Sequence, residues 1–197
     1  MRALLLLILA VAAAGCGGGR IAMTMMPADG CELDGDTPAV QLLVRDVAGV
    51  PHLVSDGDVV PLIAAPQGGY VLLAGVRARG VDGCALQLQA SVQDPSSGRV
   101  IALESRPVLL VAGDDGWGMP NQPDLLTNYA NLAMCPNAAL ERDFSAPYLL
   151  TVRVQDRNGR SASVSAPAQP TCAELDGAER AACDCTCRPH YTLGDPC

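Results

Sequence analysis

Short apolar runs that alternate with polar residues are the feature that most constrains the fold of this chain. In ALQLQASVQD, over 85–94, the apolar positions from Leu86 to Val92 fall on one face, and glutamine and serine fall on the other. A period of two residues is that of a half-buried β-strand. Similar Val- and Leu-rich runs predict strands over 38–46, 59–65, 69–80, 84–94, 99–113, 148–156 and 160–167.

Turn residues separate several of these strands. The stretch Asp-Pro-Ser-Ser-Gly at 94–98 combines the fixed φ of Pro95 with Gly98, which can adopt a left-handed conformation. The pair Asn158-Gly159 is favoured in two-residue type I′ hairpins, since both central residues then need positive φ. Both turns follow Val-Gln-Asp, and we expect two antiparallel hairpins in the same sandwich.

The number and spacing of the strands indicate an all-β protein. They resemble an immunoglobulin-like or fibronectin-like antiparallel β-sandwich, which we place over residues 38–170. The resemblance concerns architecture alone, because the sequence suggests neither a tyrosine corner nor a buried core tryptophan. The only tryptophan, Trp117, lies in a segment rich in glycine, proline and aspartate.

A long connection over 113–146 interrupts the strands and is the best candidate for a ligand or partner surface. We expect a short helix around Leu125 to Met134 and an anchor at Cys135. The alternative is a solvated loop with Trp117 packed on the sandwich as a lid. The candidate ligand residues, within 113–124, are Asp114, Asp115, Trp117 and Asn121.

The N-terminus, residues 1–15, has the three parts of an export signal: a positive charge at Arg2, an apolar run and a small-residue end. The apolar run is too short for the roughly 20 residues that a membrane-spanning helix needs. The segment Ala13-Ala14-Gly15-Cys16 resembles the lipobox of bacterial lipoproteins, with Ala13 where leucine is usual. The resemblance implies cleavage before Cys16 and a lipid on that residue.

Two or three acyl chains on Cys16 would hold the protein on a membrane without spanning it. Gly17 follows, rather than the aspartate that retains such lipoproteins on the inner membrane, so the resemblance implies an outer-membrane destination. Residues 16–37 are expected to form a flexible tether. With 21 acidic and 13 basic residues, the chain lacks the cationic character that nucleic acid or anionic headgroups require.

The cysteine count bears on the redox state of the protein. Nine cysteines are present, and eight remain if Cys16 carries lipid. In an exported protein an even number predicts four disulfides, although spacing cannot choose among the 105 pairings of eight cysteines. The expected disulfide cysteines are Cys31, Cys84, Cys135, Cys172, Cys183, Cys185, Cys187 and Cys197.

The Cys-rich tail, residues 171–197, allows three interpretations. Cys183, Cys185 and Cys187 with His190 are zinc-ligand types, but their spacing differs from that of zinc knuckles, and no Cys-x-x-Cys redox motif occurs. From Cys185 onward the tail resembles the second half of an EGF-like module. That resemblance implies a Cys187–Cys197 bridge and a partner for Cys185 at Cys172 or Cys183. We favour disulfides over a metal site.

No catalytic motif is evident, and the chain has only two histidines, His52 and His190. We therefore expect no enzyme and no cofactor. The sequence indicates a lipid-anchored envelope protein with a structural or binding role, which contacts the membrane through its lipid and other envelope proteins through its sandwich. The alternative is a periplasmic lipoprotein that binds a ligand or metal through loop 113–124 or the tail.

Overall fold

The computed structural model describes residues 31–121, 127–173 and 175–197, which form two β-sheets and one short helix. The signal segment, Cys16 and the first part of the expected tether lie outside these ranges. The elements, in chain order, are β1 (Ala39–Arg45), β2 (Pro51–Leu53), β3 (Asp58–Pro61), β4 (Ile63–Ala64), β5 (Tyr70–Arg79), β6 (Leu86–Gln93), β7 (Val100–Val108), β8 (Leu110–Ala112), β9 (Gly118–Pro120), β10 (Ala130–Cys135), β11 (Tyr148–Asp156), β12 (Ser161–Thr171) and α1 (Gly177–Thr186).

The two sheets confirm the all-β prediction. The first sheet is built on β5, which pairs with β1 and β4 along one edge and with β10 and β9 along the other. The second sheet has the order β3-β12-β11-β6-β7, in which only the β3–β12 pair is parallel. The long strands β1, β5 and β10 thus lie in one sheet and β6, β7, β11 and β12 in the other, which is the division of an immunoglobulin-like sandwich.

The core lies between the sheets and follows the alternation in the sequence. In β6 the four apolar positions from Leu86 to Val92 are buried, and in β11 Leu150, Val152 and Val154 are buried. Alternate residues of both strands point outward, as period-two patterning requires. The short helix α1 is the only helix among the described residues, and none of these residues forms a helix long and apolar enough to cross a membrane.

The folded part begins earlier than the expected boundary at residue 38. Cys31 and Leu33 are buried, and the Leu33 N–H donates to the Val81 carbonyl at 3.0 Å. Glu32 forms an isolated antiparallel bridge with Asp82. Cys31, Glu32 and Leu33 are therefore fixed against the β5–β6 connection, whereas residues 34–37 are exposed.

The hairpin between β11 and β12 differs from the predicted type I′ turn. Gly159 has a positive φ of 81°, whereas the preceding Asn158 is not in the left-handed region. The carboxylate of Asp156, which is 5% exposed, accepts hydrogen bonds from the Asn158 and Arg160 N–H groups, both at 2.9 Å. This buried carboxylate organises a four-residue connection, 157–160, in which Gly159 supplies the one left-handed residue.

The expected helix around Leu125 to Met134 begins outside the described residues, and from residue 127 onward the expectation is wrong. Residues 130–135 form strand β10, in which Ala130, Leu132 and Met134 are buried in alternation and pair with β5. The run ANLAMC has the period of a strand, and pairing with β5 satisfies its backbone groups.

A tyrosine corner is present, contrary to the sequence-based expectation. Tyr148 begins β11, is 1% exposed, and its hydroxyl donates to the Arg142 carbonyl at 2.8 Å. A tyrosine at this position that bonds back to upstream backbone is typical of immunoglobulin-like sandwiches. Its ring also meets Phe144 edge-on, with centroids 5.7 Å apart.

Candidate functional site

The candidate loop around Trp117 is held against the outer side of β5. The Trp117 ring lies beneath the guanidinium groups of Arg77 and Arg79, whose Cζ atoms are 5.0 and 4.8 Å from the ring centroid. Arg77 also forms an ion pair with Asp115. These cation–π contacts and the ion pair keep the half-buried indole on the sheet, as the lid interpretation expected.

The four predicted ligand residues are not brought to one point. Asp115 and Trp117 share contacts with Arg77, and Asp114 is exposed beside them. Asn121 lies beyond the other end of β9, where its N–H donates to the Leu109 carbonyl at 3.2 Å. Asn121 therefore contributes backbone contacts to the fold, and these four described side chains form no single ligand cluster.

An open depression of about 630 Å³ lies beside Asp114 and Asp115. His52 stands on its rim and bonds through Nε2 to the carboxylate of Asp46 at 2.7 Å. Within the described ranges, the groupings of three metal-ligand types within 4.8 Å all contain disulfide cysteines, and none includes this depression. The depression is lined by Leu43, Pro51, His52, Leu53, Arg77, Gly113, Asp114, Asp115 and Met119.

All eight cysteines downstream of Cys16 are paired, as the parity argument predicted. The bridges are Cys31–Cys84, Cys135–Cys187, Cys172–Cys183 and Cys185–Cys197. The bridges Cys31–Cys84 and Cys135–Cys187 span 53 and 52 residues. Closing loops of that length stabilises a fold by about 4 kcal/mol each, through constraint of the unfolded chain.

The pairing implied by the EGF-like resemblance is wrong, because Cys187 is bonded to Cys135 and Cys197 to Cys185. The reason is α1, which places Cys183 and Cys187 one helical turn apart. Both are buried against the sandwich, whereas Cys185 lies between them on a less buried side of the helix. An extended tail would have distributed these sulfurs differently.

The bridges fasten α1 to both sheets. Cys187 connects its C-terminal end to the end of β10 in the first sheet, and Cys183 connects it to Cys172, just after β12 of the second. The tail cysteines are thus occupied as disulfides and provide no thiolate ligands in this state. His190 is exposed, with a left-handed φ of 61°.

The outer side of the second sheet is a hydrogen-bonding surface that the sequence reasoning did not assemble. Cross-strand register places Ser105, Gln89, Arg153 and Ser163 side by side on β7, β6, β11 and β12. We call this surface, including the rows on either side, the polar face. Its residues are Gln87, Gln89, Ser91, Leu103, Ser105, Pro107, Thr151, Arg153, Gln155, Ser161, Ser163 and Ser165.

The sequence signal for the polar face lies in the outward positions of β6, β11 and β12, which carry amides, hydroxyls and Arg153, with no carboxylate. The strand order was needed to see that these positions form one surface. Comparison of the chain with protein-family models, with curated proteins and with solved structures gives no match.

Proposed function

We propose that this protein is a lipid-anchored component of a bacterial cell envelope with a binding or structural role and no catalytic activity. The main support for this proposal is that the four disulfides use every cysteine except Cys16. Cys16 therefore has no cysteine left as an intramolecular partner. Its position at the end of a lipobox-like segment supports a lipid as its modification.

The disulfides also support export. Structural bridges persist in oxidising compartments and are rare in the cytosol of most organisms. Cys31, which is bonded to Cys84, follows the proposed lipid site by fifteen positions. The folded part is thus attached at a short distance from the membrane, and Gly17 supports the outer membrane as the destination.

A binding role is better supported than catalysis. The ring of His52, an exposed residue of β2, bonds to the carboxylate of Asp46, which directly follows β1. His190 lies in the tail, where its N–H donates to the Leu140 carbonyl at 3.4 Å. Neither histidine is paired with a serine or cysteine nucleophile among the described residues, so the arrangement offers no activated nucleophile.

The test is the membrane association of the full chain in a Gram-negative host. Wild type should be labelled by palmitate, remain with the outer membrane after a salt wash, and accumulate as an unprocessed precursor under globomycin. Cys16→Ser should lose all three properties. The double variant Cys185→Ser with Cys197→Ser is the matched control, because it removes cysteines and should retain the anchor. Membrane retention of unlabelled Cys16→Ser would refute the proposal.

A further inference from the structure

We propose that the polar face binds a carboxylate-bearing polysaccharide. The inference deepens the proposed binding role by assigning it a surface and a class of partner, and it does not depend on the lipid at Cys16. The face is formed by the central strands β6 and β11 with β7 and β12 beside them. It is therefore a rigid sheet surface and not a loop.

The charge of the face points to an anionic partner. The chain carries a formal net charge of −8, yet Arg153 is the only charged residue of the polar face. Arg153 is exposed and, within the part of the chain that the structure describes, has no carboxylate or aromatic partner. Every other arginine in the described ranges contacts one, namely Arg45, Arg77, Arg79, Arg99, Arg106, Arg142, Arg157, Arg160, Arg180 and Arg188.

An unpaired guanidinium on a surface without acidic neighbours is available to a carboxylate from outside. Guanidinium groups bind carboxylates through two parallel hydrogen bonds, which fix orientation as well as adding affinity. The polar face is not expected to bind the same face of a second copy of this chain. That contact would bring two Arg153 side chains together without a carboxylate to compensate their charge.

The neighbours of Arg153 suit a partner rich in hydroxyls. Gln87 donates to the Ser105 hydroxyl at 2.9 Å, and Thr151 and Ser165 share a hydrogen bond of 2.8 Å. The side chains of Gln89 and Ser163, which flank Arg153 in register, make no such bond within the described residues. Strands about 4.8 Å apart thus present amide and hydroxyl groups in a regular array beside the cation.

The composition favours a polysaccharide over a protein. Protein interfaces depend on aromatic and large apolar anchors at their centres and are depleted in serine. The polar face has no aromatic residue, and its apolar members, Leu103 and Pro107, lie on β7 at its margin. Without an aromatic platform, a sugar would be held by hydrogen bonds and by the Arg153–carboxylate pair and not by ring stacking.

The experiment measures binding of the purified full chain, in detergent, to immobilised polygalacturonate. Dextran is the neutral polysaccharide control, and polyglutamate is the acidic polypeptide control. Arg153→Gln removes the cation, and Gln89→Glu places a carboxylate beside it without removing it. Arg180→Gln is the matched control, because it removes one exposed arginine on α1, away from the face.

Wild type should bind polygalacturonate more tightly than dextran or polyglutamate, and binding should weaken with salt. Arg153→Gln and Gln89→Glu should each weaken binding by about tenfold or more, the range for a charge-assisted hydrogen-bonded pair. Arg180→Gln should bind like wild type. Absence of wild-type binding, an unchanged affinity in both face variants, or equal binding to polyglutamate would overturn the inference. Circular dichroism of each variant verifies folding, and the membrane assay with Cys16→Ser remains a separate readout.

Discussion

Arg142 donates a hydrogen bond from Nε to Oδ1 of Asp94 across 3.0 Å, and this contact ties the long 113–146 connection to the β6–β7 turn. Asp94 is 2% exposed and also accepts hydrogen bonds from the N–H and the hydroxyl of Ser96. Arg142 in turn donates to the Ala146 and Pro147 carbonyls, and its Cζ lies 4.0 Å from the centroid of the Tyr148 ring. The Asp94 carboxylate thus anchors both the β6–β7 turn and the segment that precedes β11.

The first prediction concerns acid stability. Hydrogen bonds from Ser96, together with Arg142, hold the pKa of Asp94 at about 2, below the value of about 3.9 expected when unfolded. Because the folded pKa is lower, the unfolded state binds more protons in this range. The stabilisation is therefore present above about pH 5 and is lost as pH falls towards 2.

Urea denaturation at pH 7, 5, 3 and 2 measures this effect. Asp94→Asn should be destabilised at pH 7 and should lose less stability on acidification than wild type does. Asp114→Asn, at an exposed loop carboxylate, is the control and should follow the wild-type pH dependence. An Asp94→Asn chain with the wild-type acid dependence would contradict the prediction.

The second prediction concerns the tyrosine corner. Tyr148→Phe removes the hydrogen bond to the Arg142 carbonyl and should lower the free energy of unfolding by roughly 1 kcal/mol, the usual net value of such a bond. Burial raises the pKa of Tyr148 to about 12, so the variant should also lack one strongly alkaline tyrosine transition in an ultraviolet titration. Tyr191→Phe is the control. The Tyr191 hydroxyl lies 3.4 Å from the Asp195 carbonyl, so its removal should lower the free energy of unfolding by less than Tyr148→Phe does. Equal stability of Tyr148→Phe and wild type would argue against a structural role.

The strands were predictable because their signal is local. A period of two residues and the turn residues Gly98 and Gly159 are visible in any short window of the sequence, and both glycines have positive φ in the structure. The strand β10 was missed because its six residues follow the long Gly- and Pro-rich part of the connection, and only pairing with β5 reveals its period.

The disulfide pairing was not predictable in the same way. It depends on whether the tail is extended or helical. In the helical tail Cys183 and Cys187 lie on the same buried side, one turn apart, and Cys185 lies on another side. Tyr148 as a corner residue and Arg153 as an unpaired cation depend on contacts between distant segments. Spacing contains no information on such contacts, so the candidate site could be read only in part from the sequence.

The third prediction concerns the Trp117 loop. Arg77→Gln removes both the ion pair with Asp115 and one guanidinium from the indole. Since Trp117 is the only tryptophan, its fluorescence reports on this loop alone, and its emission should shift to longer wavelength as the ring becomes more hydrated. The cost in stability should be about 1 kcal/mol or less, as for exposed cation–π and ion pairs.

Two further variants sharpen this test. Arg79→Gln should produce a similar red shift through the loss of its own contact, at 4.8 Å from the ring centroid. Arg180→Gln removes the same charge from α1 and should leave the emission unchanged. If both Arg77→Gln and Arg79→Gln retain the wild-type spectrum, the loop is held by other contacts.

The last prediction concerns two neighbouring disulfides in α1. The sulfur atoms of Cys183 and Cys187 are 3.8 Å apart, although each is bonded to a different cysteine. Cys135→Ser leaves Cys187 as a thiol beside the Cys172–Cys183 bridge. The Cys187 thiolate can then attack Cys183, so that a Cys183–Cys187 bond forms, the Cys172–Cys183 bond breaks, and the Cys172 thiolate takes up the proton that Cys187 released.

Alkylation and non-reducing peptide mapping of Cys135→Ser should therefore detect free thiol at both Cys172 and Cys187. Cys31→Ser is the matched control, because it frees Cys84 at the β5–β6 connection, outside the tail cluster of Cys172, Cys183 and Cys187. Its free thiol should stay on Cys84 alone. Free thiol confined to Cys187 in Cys135→Ser would show that burial of the helix blocks the exchange despite the short distance between the sulfurs.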